Sequence, residues 1–236
     1  MLKTIIGTIF LLGMSFSSHA RSFDGFYIVS GNKHSIDRFK PYISRVEAKA
    51  IYFGVDVNPN AKSHMLVKDE ILSHFQQRLC ATKCKGNILV MGWSIGAKFV
   101  PYLLAEFPNV KFTVVLLDPM DGAPPFTQAN SAKYPMVTKK VKLASAPHTL
   151  ILSAEKAKAI GSLGIGCDID GQNYPLFEAL FQTTATILPE AGHLDLLQGP
   201  FGLLTRMACA KGGVPAELTL ERSLDAFEKF LQGDYK

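Results

Sequence analysis

Six short apolar runs recur along the chain: Phe26 to Ser30, Ala50 to Val55, Asn87 to Gly92, Phe112 to Leu117, Thr149 to Ser153 and Thr184 to Leu188. Most are rich in Val, Ile, Leu and Phe without polar alternation, the pattern of strands buried on both faces. Between them the apolar spacing becomes helical. Leu66, Ile71, Phe75 and Leu79 mark one such stretch and Phe99 to Phe107 a second. Leu220, Leu224, Phe227 and Leu231 form an i, i+4, i+7, i+11 stripe near the C-terminus. Strands alternating with helices predict an α/β fold, a three-layer sandwich with a mostly parallel sheet of about six strands. There is no internal repeat and no low-complexity segment. Two connections, roughly 119–147 and 156–183, exceed the usual few residues; loops of this length are either substrate-facing or plain surface excursions.

The start of the chain follows another pattern. Lys3 precedes an apolar stretch from Ile5 to Met14, and small residues lead to Ser18-His19-Ala20. This predicts a secretory signal peptide, residues 1–20, cleaved after Ala20. Residues 21–236 then suffice for a single domain with a full core. A stretch of about ten residues reaches about 15 Å as a helix, half the hydrocarbon of a bilayer, so no membrane span is expected. The formal net charge is +5, with Lys3 in the leader. No Lys/Arg run is interleaved with aromatics, which excludes nucleic acid as a partner.

The four cysteines are Cys80, Cys84, Cys167 and Cys209. An even number in an exported chain predicts two disulfides. Cys80 with Cys84 is the local pairing, leaving Cys167 with Cys209. Cys-x3-Cys with neither a second Cys pair nor a nearby His lacks the ligand set of a zinc site.

The chemistry concentrates in Gly92-Trp93-Ser94-Ile95-Gly96. A strand pattern leads into Gly92 and a helical one begins after Ile95, the setting in which Gly-x-Ser-x-Gly forms a nucleophile elbow. The turn exposes the Ser94 hydroxyl and directs the Ile95 backbone N–H toward a developing oxyanion. A serine hydroxyl needs a base at neutral pH. His193 follows the last apolar run, within Pro189-Glu190-Ala191-Gly192-His193, where that base is expected. His34, His64, His74 and His148 read as surface or locally hydrogen-bonded histidines. The acid has three candidates. Asp118, at the end of the fourth run, lies where ligands bind in open α/β sheets. Asp121 follows three residues later, and Glu155 occupies the commoner position after the fifth run. The second oxyanion donor is expected from the loop after the first strand, at the Asn32 backbone N–H. If Met120, Pro125, Phe126 and Leu163 lie near the site, they predict an apolar acyl or alcohol group.

Gly-Trp-Ser-Ile-Gly, Leu-Asp-Pro-Met-Asp-Gly and Gly-His-Leu-Asp-Leu-Leu together resemble the chlorophyllase-like branch of the α/β-hydrolase superfamily, in order from about Phe26 to Leu197. The resemblance implies the α/β-hydrolase fold, ester hydrolysis, and a triad of Ser94, Asp118 and His193. It does not extend to chlorophyll as substrate. The expectation is therefore an exported serine hydrolase acting on a small-molecule or lipid ester, with neither metal nor organic cofactor. An acyltransferase or thioesterase with the same triad, and a catalytically silent binding domain on the same scaffold, stay open.

Overall fold

All six apolar runs form strands in the computed structural model, which describes residues 22–31, 35–55, 63–81, 86–121, 136–158, 173–201 and 212–235. They are β1 (Gly25–Ser30), β2 (Ala50–Gly54), β3 (Asn87–Trp93), β4 (Lys111–Leu117), β5 (His148–Ala154) and β6 (Thr186–Leu188). Their order in the sheet is β2-β1-β3-β4-β5-β6, and every pairing is parallel. The central strands are buried as their unbroken apolar runs predict. At one edge β2 is only partly buried along its whole length, and at the other the short β6 carries the exposed Ile187.

Parallel neighbours need crossover connections, and helices supply them. The helices are α1 (Lys40–Ile43), α2 (His64–Leu79), α3 (Val100–Glu106), α4 (Val137–Lys140), α5 (Asn173–Phe181) and α6 (Ala216–Gln232). Of these, α4 and α5 lie inside the two long connections, where the apolar spacing did not reveal them. The alternating side chains of the strands feed two cores. Phe26, Ile28, Leu89, Met91, Val115 and Leu117 pack with Tyr42 of α1 and with Leu224, Phe227 and Phe230 of α6. Tyr27, Val29, Val90, Val114 and Leu116 point the other way, onto α2, α3 and α5. The result is the expected three-layer sandwich.

One predicted helical face shifts. Ser63 caps α2, its hydroxyl accepting from the Leu66 N–H at 3.4 Å. The buried stripe is Val67, Ile71 and Phe75, while Leu66 is 54% exposed. A residue next to a buried position lies about 100° around the helix, so Leu66 and Val67 cannot both face the sheet.

The strand order contains a switch point between β1 and β3. The chain passes from β1 to β2 on one side of the sheet and returns to β3 on the other. In open α/β sheets ligands bind outside the carboxyl ends of the strands at such a switch. Ser94 and Asp118 directly follow β3 and β4 at this edge.

Cys80 is disulfide-bonded. Cys84, Cys167 and Cys209 lie outside the described residues, as do both expected pairings. Among the described residues no helix is long and apolar enough to cross a membrane.

Candidate active site

Ser94 turns the chain sharply between β3 and the helical segment after it. Its φ is +56°, a region L-residues seldom occupy, so the site holds local backbone strain. The turn works only because its neighbours lack side chains. A Cβ on Gly92 would lie 2.6 Å from Ala97 Cα, and one on Gly96 would lie 2.3 Å from the Val29 carbonyl oxygen. The helical segment begins as a 3₁₀ stretch, Ser94–Phe99, before α3 takes over at Val100, instead of continuing directly as α-helix.

His193 starts a short 3₁₀ turn, His193–Leu196, beyond β6. This turn is held from several sides. The Gly192 N–H donates to the Asp195 carboxylate at 2.8 Å, and the Tyr42 hydroxyl donates to the Leu196 carbonyl at 2.9 Å. That hydroxyl also lies 2.7 Å from Ser223 Oγ of α6. The imidazole consequently meets Ser94, with Nε2 2.9 Å from Oγ. On its far side Nδ1 lies 2.5 Å from Asp118 Oδ2. Ser94, His193 and Asp118 are 7%, 2% and 4% exposed, so the array is almost entirely shielded from water.

Asp118 reaches this position through the register of β4 against β5. Its N–H donates to the Leu152 carbonyl at 2.6 Å. Its other oxygen, Oδ1, accepts from the Ala154 N–H at 2.9 Å and the Ser153 hydroxyl at 3.1 Å. Two donors on one oxygen leave the second oxygen directed at the imidazole. The φ of +42° suits Asp, whose short polar side chain tolerates the left-handed region.

The other two candidate acids are committed elsewhere. Glu155 accepts from the Glu190 N–H at 2.8 Å and so braces the loop before His193. Asp121 accepts from the N–H groups of Val137 and Thr138, both at 2.9 Å, capping α4. Asp121 also pairs with Lys98, whose Nζ lies 3.4 Å from Oδ1 and donates to the Asp121 carbonyl at 3.1 Å. Both side chains are wholly buried. Burial pushes the Lys98 ammonium below its ordinary pKa, and the Asp121 charge opposes that shift. Replacing Asp121 by alanine leaves a buried ammonium without this carboxylate, a loss of about 3–5 kcal/mol. Thermal unfolding followed by circular dichroism is expected to show Tm lower by roughly 10 °C.

Trp93, the variable residue before Ser94, contributes more than its place in the motif suggests. Its ring stacks on the His193 imidazole with centroids 5.0 Å apart and planes 25° apart. An indole face holds the ring orientation and favours a positive charge on it. The period of two along β3 was the available signal, since it places Trp93 on the face of Leu89 and Met91. Met120 also joins the site, its N–H donating to the Ser94 carbonyl at 3.1 Å and its sulfur 3.3 Å from Ser94 Oγ. Pro125, Phe126, Leu163 and Asn32 lie outside the described residues. Gly31, just before Asn32, packs against the turn, where an added Cβ would lie 3.2 Å from the Ile95 nitrogen.

The other described histidines have partners elsewhere. His74 Nδ1 lies 2.9 Å from the Tyr27 hydroxyl, and His148 stacks on Phe230. His64, at the start of α2, is not on the surface: it is 3% exposed and meets Phe99 edge-on. His34 lies outside the described residues. Among the described residues no cluster of three His, Cys, Asp or Glu side chains is arranged to hold a metal ion.

Neither a family model nor a curated protein sequence matches the chain. Solved structures that resemble it include that of MenH from S. aureus, 8% identical, with a TM-score of 0.42, covering 72% of this chain and 86% of that one. A likeness at this level decides nothing about activity, and none of these comparisons singles out the chlorophyllase-like branch. The all-parallel sheet, its β2-β1-β3-β4-β5-β6 order and the strand–serine–helix turn give the chain the α/β-hydrolase fold.

Proposed function

We propose that this protein is an exported serine hydrolase that cleaves carboxylic esters through an acyl-enzyme on Ser94. The observation that carries this reading is the continuous line from Ser94 Oγ through both imidazole nitrogens of His193 to Asp118 Oδ2, with spacings of 2.9 and 2.5 Å. In that line the Nδ1 proton of His193 is donated to Asp118, which leaves Nε2 to accept the serine proton. Oγ then attacks the ester carbonyl carbon as its proton passes to Nε2. The Ile95 and Asn32 N–H groups receive the negative charge on the carbonyl oxygen. When the intermediate collapses, the carbon–oxygen bond to the alcohol breaks and His193 protonates the departing alkoxide. A water molecule, deprotonated by the same nitrogen, attacks the acyl carbon, and the proton returns to Ser94 as the acid is released. Every step uses groups of this chain, substrate and water.

The signal peptide of residues 1–20 belongs to the same reading, with residues 21–236 as a single domain in the periplasm or outside the cell. Cys80–Cys84 and Cys167–Cys209 disulfides fit that oxidising setting. A fluorophosphonate probe tests the central claim. The folded protein is expected to become covalently labelled, with the label on the peptide that contains Ser94. A folded protein that takes up no label would instead be the silent scaffold.

A further inference from the structure

We propose that Met120 is the specificity-determining residue of this site: its thioether is the wall that limits the bulk of the group flanking the scissile carbonyl. This rests on Ser94 being the nucleophile. Among the described residues, His193 Nε2 lies 2.9 Å and Met120 Sδ 3.3 Å from Ser94 Oγ. The imidazole is needed for proton transfer, so the thioether is the described side chain beside Oγ that an incoming acyl or alcohol group can meet without displacing the base. A substituent of the carbonyl carbon on the Met120 side would meet the thioether, whose sulfur is already 3.3 Å from Oγ.

Met120 is also poorly placed to move aside. It is 1% exposed, and its own N–H is tied to the Ser94 carbonyl. Two residues earlier, the Asp118 N–H is bound to Leu152 of β5. One residue later, the Asp121 carboxylate is bound to Val137 and Thr138 of α4 and paired with Lys98. The segment 118–121 is thereby anchored to the elbow, to β5 and to α4, so the backbone that carries the thioether is fixed beside Oγ. A thioether is apolar and only a weak acceptor, so it accommodates a small apolar substituent and offers nothing to a charged one. The substrate class is an ester that is small or unbranched next to the carbonyl on that side.

The test compares the wild type with Met120→Leu, Met120→Val and Met120→Ala. The acyl arm uses p-nitrophenyl acetate, butyrate and the branched pivalate, and the alcohol arm uses ethyl and tert-butyl butyrate. One or two methylenes of apolar pocket are worth about tenfold or more in kcat/KM. Met120→Ala is therefore expected to raise the ratio of branched to unbranched kcat/KM by about tenfold in one arm, with Val intermediate. Leu, of similar volume, is expected to keep the wild-type ratio. The arm that responds identifies the side the wall faces. If Met120→Ala fails to unfold cooperatively, Met120→Val carries the comparison. Ratios unchanged in both arms, in variants that still cleave acetate, overturn the role of Met120 alone. A wild-type protein that cleaves no ester and takes up no fluorophosphonate overturns the hydrolase reading itself.

Discussion

Replacing Ser94 by alanine is expected to lower kcat for ester hydrolysis by about 10⁶, the scale on which a serine protease loses activity without its nucleophile. The fold is expected to survive, because the change removes one oxygen atom from a 7%-exposed side chain and leaves the φ of +56° as costly for Ala as for Ser. A second substitution separates chemistry from strain. Ser94→Gly deletes the same hydroxyl but relieves the backbone, since glycine occupies positive φ without a Cβ clash. Its Tm is therefore expected above that of Ser94→Ala, with both variants equally inactive toward p-nitrophenyl esters. A Ser94→Ala variant that retains more than a small fraction of wild-type kcat would show that another group is the nucleophile.

Asp118→Asn should cost about 10⁴ in kcat with little loss of stability. Asparagine suits this backbone, because it tolerates positive φ as aspartate does. The loss comes from hydrogen-bond direction. Oδ1 receives the Ala154 N–H and the Ser153 hydroxyl, so the amide oxygen of the variant must stay on that side. Its NH₂ group is then turned toward His193 Nδ1. The imidazole has to accept there and carry its proton on Nε2, which can no longer take the proton of Ser94. Single-turnover kinetics with a chromogenic ester would show the effect on acylation directly. Glu155→Gln serves as the control, with an expected loss below about tenfold, because Glu155 accepts from the Glu190 N–H and does not touch His193. If Glu155→Gln causes the large loss and Asp118→Asn does not, the assignment of the acid is wrong.

These two predictions differ in how far the linear chain supports them. Ser94 and its glycines are readable without coordinates because a strand pattern, the motif and a helical pattern are contiguous. The crowding that excludes a Cβ at Gly92 comes from Ala97, five residues away, and is therefore local. His193 is almost as legible, since it follows a recognisable β6 run. The sheet class was legible for the same reason: strands buried on both faces are apolar throughout, whatever their neighbours. The partial burial of β2 and β6 was not, since being at an edge is a property of strand order.

Asp118, Asp121 and Glu155 mark the boundary. All three follow apolar runs at the same end of the sheet, and local patterning does not say which one faces the imidazole. Tertiary packing decides it. Parallel registry of β4 with β5 places Ala154 N–H and Ser153 against Asp118 and turns its free oxygen to His193, whereas α4 and Lys98 engage Asp121, and the loop at Glu190 engages Glu155. The Trp93 stack and the Met120 contact arise in the same way, each from residues distant along the chain. Period and composition thus determine the elements and the strand–serine–helix turn at Ser94, because those depend on near neighbours along the chain. The partner of a buried carboxylate depends on which donors lie within about 3 Å in space, and only the folded sheet brings them there.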